Sequence, residues 1–336
     1  MFRFLALLIV CNTGLSAQLS PDKTGFIPVT LKDQKLGNIQ YYHSKKDAES
    51  KKALLLYLDG SGPYPIFQYM AQGYGSTIPF DLKKAMKDFH VVLISKPGVP
   101  FADSVRRDPE TGYPEYREPQ EYTQRLSLDW RVEAAEKVLR DVTKRVNADR
   151  NKISILGFSE GFQVGTALLA RSKLVTHAVL MVGNGFTQFF DFIIQNRQEA
   201  ICGKITHQEA QIRIDSLHKV FREIRADPTS TEKHWFGHTY LRWSSFASLE
   251  PFKILSRVKI PVYLVAATAD ENTSVLGLDY LRLKTELAGQ TSIRFHPVPY
   301  DHGFNEVKYI SEGKPPEITQ HMEEVMQDAM DWLIAQ

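Results

Sequence analysis

Disulfide bonds have little to build on in this chain. Its 336 residues include two cysteines, Cys11 and Cys202, and the first lies in an amino-terminal stretch that reads as a removable signal. Loss of Cys11 leaves Cys202 alone, which excludes an intramolecular disulfide and a metal site built on cysteine. Cys202 is then expected to be a small buried or half-buried side chain. A fold of this length needs no cross-links, because it can bury a substantial core. Charge of one sign is also missing: 41 Lys and Arg stand against 39 Asp and Glu, a formal net charge of +2, with no basic run. That balance argues against a nucleic-acid track or a membrane-binding face and suits a small-molecule or short-peptide substrate. No apolar run is long enough to span a bilayer, and no internal repeat or low-complexity tract is visible.

The first residues, "MFRFLALLIVCNTGLSAQ", carry a basic start at Arg3, an apolar core from Phe4 to Val10 and small residues at Ser16 and Ala17. That is the pattern of a secretory signal, residues 1–17, cleaved after Ala17. The expectation is an exported protein, periplasmic or secreted. Val10 before Cys11 fits a lipid-anchored alternative poorly.

Beyond the signal, "GFIPVTLKD" and "KLGNIQYYHS" alternate as a β-hairpin would. "ALLLYLDG" (53–60) and "HVVLISKPG" (90–98) are nearly continuous apolar runs, as expected of strands buried on both faces. A helix is expected within 66–88, and another over 128–146, where Leu128, Val132, Ala135, Leu139, Val142 and Val146 share a face behind a Ser127 cap. Further strands read at 152–157, 177–183, 261–270 and 292–298, with helices after Ser159, near 275–288 and at 317–335. This alternation predicts an α/β fold, a mostly parallel sheet with helices on both faces. Residues 99–126 are irregular. Residues 184–255 lack a clear strand and are far longer than an ordinary connection, which predicts a helical lid between two core segments, 18–183 and 256–336.

In such a sheet, functional groups collect beyond the carboxyl ends of the strands. "GFSEG" (157–161) stands there, after "ISIL" and before a predicted helix. A G-x-S-x-G pattern arises by chance in about one chain in ten of this length, so its placement is what gives it weight. A tight strand-to-helix turn would expose Ser159 as a nucleophile, with Gly157 and Gly161 permitting close backbone approach. The Glu160 N–H, at the helix start, could donate to an oxyanion.

A strand, G-x-S-x-G and helix within alternating strands and helices resembles the α/β-hydrolase superfamily, over residues 50–183 and 258–335. The resemblance implies a serine hydrolase with an acid and then a histidine after the serine. "VYLVAATADENTSV" places Asp270 past a buried strand, in a loop similar to that of the dienelactone hydrolase and prolyl oligopeptidase-like branches. "VPYDHGF" places His302 in the loop after the next strand. "YLDGSGPYP" matches the segment that completes the oxyanion hole, with Asp59 where relatives often carry His; the Ser61 N–H is the implied second donor, with Gly62 behind it. The chemistry that follows is an acyl-enzyme on Ser159, with His302 as base and then acid, and Asp270 orienting the imidazole. It calls for no metal and no cofactor. An ester is the expected substrate, a short peptide the alternative, and a non-catalytic binding protein on the same scaffold a third reading.

Several other features admit two uses. Glu271 and Asp301 are alternative acids and His296 an alternative base. Asn272-Thr273-Ser274 fits a glycosylation sequon, or a turn that fixes Asp270. His234 and His238 lack the carboxylate of a zinc-binding helix motif and read as solvated or lid-packing. Tyr64 and Phe67 follow the oxyanion loop and could touch substrate. Trp235 and Trp243 could line an acyl pocket or bury the lid's own apolar face, Phe158 could pack under the turn, and Arg106 and Arg107 could hold a carboxylate or sit at the surface.

Overall fold

A computed structural model describes residues 19–70, 73–109, 112, 114–309 and 315–336. The expected signal lies outside these residues. Eight strands form the main sheet: β1 (Phe26–Asp33), β2 (Gly37–Ser44), β3 (Lys52–Leu58), β4 (Phe89–Ile94), β5 (Ala148–Phe158), β6 (His177–Met181), β7 (Val262–Ala267) and β8 (Ile293–Val298). Their spatial order is β1-β2-β4-β3-β5-β6-β7-β8. The sheet is mixed. β1 with β2 and β2 with β4 run antiparallel, while β4-β3-β5-β6-β7-β8 pair in parallel.

The apolar strands are apolar because both faces are covered. Leu54, Leu56 and Leu58 of β3 point into one core, with Ile153 and Ile155 of β5 and Leu264 of β7. Leu55 and Tyr57 point into the other, with Leu156, Val179 and Val265, as the two-residue period of a strand requires. The helices are α1 (Leu82–Asp88), α2 (Gln120–Arg125), α3 (Leu128–Val142), α4 (Glu160–Arg171), α5 (Gln188–Ile201), α6 (His207–Ala226), α7 (Tyr240–Ala247), α8 (Pro251–Leu255), α9 (Leu276–Leu287) and α10 (Met322–Ala335). α3, α4 and α9 pack into the first core and α1 and α10 into the second. Ser127 caps α3, its Oγ accepting from Trp130 N at 3.1 Å, so the helix starts where the sequence places it.

Several local expectations change or sharpen, among them the closing helix, which starts at Met322 because Glu317–Gln320 pairs as a strand with Asn305–Lys308. The helix expected within 66–88 is α1, at the end of that stretch, and Phe67–Met70 and Gly73–Ser76 before it are two short antiparallel strands. Residues 99–126 are not wholly irregular: they hold short strands and α2. Cys202 is exposed rather than buried or half-buried, because it caps the outer end of α5, where the chain turns through Gly203 toward α6. Residues 184–255 fold into α5 to α8, with a two-residue hairpin, His234–Trp235 against His238–Thr239.

Candidate active site

Ser159 sits between β5 and α4 with φ 57° and ψ −117°, a conformation that a side-chain-bearing residue adopts only at a cost of about 1–3 kcal/mol. The flanking glycines make the turn sterically possible. A Cβ on Gly161 would meet the Leu58 carbonyl oxygen at 1.9 Å, and one on Gly157 would meet the Gly161 oxygen at 2.3 Å. The turn therefore packs backbone against backbone, and it is held by Ser159 N donating to Met181 O at 3.1 Å.

The loops after β7 and β8 bring two more side chains to this point. His302 Nε2 lies 3.0 Å from Ser159 Oγ, and His302 Nδ1 lies 2.6 Å from Asp270 Oδ2. Asp270 is oriented by its own turn: its Oδ1 accepts from Asn272 N at 2.7 Å and Thr273 N at 3.0 Å, and Oδ2 from Thr273 Oγ1 at 2.5 Å. Of the two uses of Asn272-Thr273, the structure thus displays the acid-fixing turn. Burial disfavours the His302 imidazolium, but the charge and hydrogen bond of Asp270, with Asp301 and Asp191 adding, raise its pKa above the ordinary 6.5. Asp301 is occupied otherwise, accepting from Gly303 N and Asn305 N at 2.8 Å each to shape the histidine loop. Glu271 is exposed, and His296 lies on β8, 3.9 Å from Asp328.

On the other side of Ser159 is the loop after β3. A Cβ on Gly60 would lie 3.9 Å from Ser159 Oγ. Neither the Ser61 N–H nor the Glu160 N–H has an acceptor among the described residues. The Glu160 side chain is 1% exposed and points away from solvent into two guanidinium groups, with Oε1 2.6 Å from Arg131 Nη1 and Oε2 2.6 Å from Arg242 Nη2. Burial opposes its charge, but Arg242, Arg131 and Lys96 together hold its pKa far below the usual carboxylate range. Arg131 also reaches Asp59 Oδ1 at 2.5 Å, and Lys96 Nζ reaches Asp59 Oδ2 at 2.7 Å. A chain of three cations and two carboxylates thus runs beneath the site.

Ser159, His302, Asp59, Lys96, Glu160 and Arg242 border a cleft of about 480 Å³. Gly62, Tyr64 and Trp243 line it, as does Phe158, whose ring stands edge-on to His302 with centroids 6.1 Å apart. Two expected contacts fall elsewhere. Phe67 is buried in the second core against Phe101, because its strand turns that face inward. Trp235 packs behind Trp243 and Phe192 rather than on the cleft, and its carbonyl accepts from Trp243 Nε1 at 2.6 Å. Arg106 is exposed, and Arg107 donates to Gly112 O at 2.8 Å. His234 is exposed, while His238 lines the cleft with its pKa lowered to about 3 by burial and by Arg242.

Sequence reasoning missed Lys96, Arg131 and Arg242, and also two acids on the cleft wall, Glu118 and Asp191. Asp191, on α5, accepts from Asn184 Nδ2 and from Ser274 N at 3.0 Å, and burial raises its pKa to about 7. Neither Glu118 nor Asp191 forms a salt bridge among the described residues.

No protein-family model and no curated protein sequence matches this chain. Solved structures do resemble it. Pyrococcus horikoshii acylaminoacyl peptidase superposes with a TM-score of 0.53 at 14% identity, over 92% of this chain and 41% of that one. Porphyromonas gingivalis dipeptidyl peptidase 4 gives 0.52 at 11% identity, over 93% and 35%. A Klebsiella pneumoniae protein assigned as a dienelactone hydrolase gives 0.50 at 12% identity, over 93% and 99%. The chain spans about two-fifths of the length of the two peptidases or less and nearly the whole of the Klebsiella protein. It has the α/β-hydrolase fold.

Proposed function

We propose that this protein is an exported serine hydrolase that cleaves a carboxylic ester through Ser159, His302 and Asp270. The observation that carries this reading is the unbroken relay from Ser159 Oγ to His302 at 3.0 Å and on to Asp270 at 2.6 Å. A serine hydroxyl is a weak nucleophile until a base takes its proton. His302 Nε2 accepts that proton as Oγ attacks the acyl carbon, and Asp270 stabilises the imidazolium. The oxyanion then receives the N–H groups of Ser61 and Glu160, each worth about 3–4 kcal/mol in comparable sites. His302 returns its proton to the leaving group, and water releases the acyl group from Ser159 by the same steps.

Residues 184–255 act in this reading as a cap over the core. Gln188, Asp191, His238, Arg242 and Trp243 from this segment support it, since all line the cleft. Action on short peptides is the second reading. It is favoured by Glu118 and Asp191, two acids on the cleft wall that form no salt bridge among the described residues and that, once ionised, suit a protonated amine. A panel of acyl esters and aminoacyl or dipeptidyl amides, run beside Ser159→Ala, divides the two. Ester turnover that Ser159→Ala abolishes supports the first reading, and exclusive turnover of amides bearing a free amine supports the second. Binding without turnover of any member would favour the non-catalytic reading. Export is tested by the intact mass and amino-terminal sequence of the protein recovered from outside the cytoplasm, expected to begin at Gln18.

A further inference from the structure

The loop that offers the Ser61 N–H has Asp59 in place of a histidine, and a buried cation supports it. Lys96 follows β4, and its side chain is 3% exposed. Its Nζ donates to Asp59 Oδ2 at 2.7 Å, to Gly60 O at 2.6 Å and to Gly62 O at 2.8 Å. An ammonium has three donors, so none remains for a substrate although the residue borders the cleft.

The consequence is geometric. A trans peptide is planar, so the C=O of one residue and the N–H of the next point in opposite directions. With Gly60 O held by Lys96, the Ser61 N–H is turned away from the ammonium. Arg131 fixes the preceding peptide in the same manner, its Nη1 and Nη2 donating to Asp59 O at 3.1 and 3.0 Å. Charge balance does not call for Lys96. Without it, Arg131 and Arg242 would still match Asp59 and Glu160 one for one. Three buried donors spent on one loop, by a cation the network does not need for neutrality, indicate a role in backbone placement.

We propose that Lys96 is a positioning residue, whose ammonium sets the Gly60–Ser61 peptide so that the Ser61 N–H faces the oxyanion formed at Ser159. This rests on the reading of Ser159 as nucleophile. Burial lowers the Lys96 pKa while Asp59 and Glu160 raise it, with lowering the net result.

The test compares wild type, Lys96→Met and Lys96→Arg. A fluorophosphonate probe reports the rate of attack by Ser159, steady-state kinetics on the substrate found in the panel separate kcat from KM, and crystal structures show the loop. Lys96→Met is expected to fold and to react about 10²–10³-fold more slowly, the effect of losing one oxyanion donor. The loss should fall on kcat rather than KM, since the Ser61 N–H acts on the oxyanion and not on the bound substrate, and the pH midpoint of activity should be unchanged, since the His302–Asp270 pair is intact. Its Gly60–Ser61 peptide should be rotated. Lys96→Arg keeps the charge and covers the case in which the methionine variant does not fold; its fork cannot make the same three bonds, so it too should be slow. Wild-type labelling rates in both variants, or an unmoved peptide in Lys96→Met, would overturn the proposal. Absence of labelling in the wild type would instead overturn the nucleophile reading, and the crystallographic comparison would still decide whether Lys96 places the loop.

Discussion

Ser159 is held at φ 57° by contacts that leave no room for side chains on either neighbouring glycine. Gly161→Ala is the sharpest probe of that packing, because its new Cβ would sit 1.9 Å from a backbone oxygen that cannot swing aside. The variant is expected to lose at least about 3 kcal/mol, read from urea denaturation, the upper part of the range for overpacked sites. His302 makes a second prediction. Its pKa lies above 6.5 in the folded protein, and the base form is the active one. Activity should therefore rise with pH through a midpoint above 6.5. Stability moves the other way: the contribution of the His302–Asp270 pair is complete below 6.5 and is lost as pH rises through the folded pKa. A pH series of kcat/KM beside a pH series of Tm, with His302→Gln as control, checks both limbs.

At the scale of elements, the segment of α5 to α8 is fixed to the core at the site itself. Arg242 of α7 binds Glu160 at the start of α4, Asp191 of α5 accepts from Ser274 N beside the acid loop, and Ser245 Oγ accepts from Leu128 N at the start of α3 at 2.9 Å. Glu160→Gln would leave Arg131 and Arg242 buried with one carboxylate fewer, and is expected to cost about 3–5 kcal/mol. Its backbone N–H is retained, so the folded fraction should still react with a fluorophosphonate; loss of reaction in protein shown to be folded would give the side chain a direct catalytic role. Asp191 behaves in the opposite sense. Its folded pKa of about 7 stands above the ordinary 3.8, so the wild type loses stability as pH rises from about 4 to 7, where only the unfolded chain ionises. Asp191→Asn keeps an acceptor oxygen for Ser274 and should remove that slope, leaving the variant more stable relative to wild type at pH 8 than at pH 4. Thermal melts at the two values measure it.

Across the whole molecule, what could be read in advance was whatever leaves a local signature. Strands buried on both faces appear as unbroken apolar runs, and the turn at Ser159 needs glycines at fixed offsets from the serine. Asp270 and His302 follow from a resemblance in their order along the chain, and the fold brings His302 beside Ser159 and Asp270 behind His302. Lys96, Arg131 and Arg242 left no such signature. Each pairs with a carboxylate that lies 37, 72 or 82 positions away in the chain. Phe67 and Trp235 went astray because an aromatic side chain near a cleft in sequence can face the core as readily as the cleft. The short strands at 67–70 and 73–76 leave no signature either, because neither is long enough to show a two-residue period.

The claim on which the account depends is that Ser159 is a nucleophile activated by His302, and covalent labelling measures it most directly. Folded protein, treated with a fluorophosphonate and digested, should yield one adduct on the Ser159 peptide by mass spectrometry. That adduct should vanish in Ser159→Ala and form far more slowly in His302→Ala. Absence of any adduct on folded wild-type protein, or an adduct undiminished in Ser159→Ala, would contradict it.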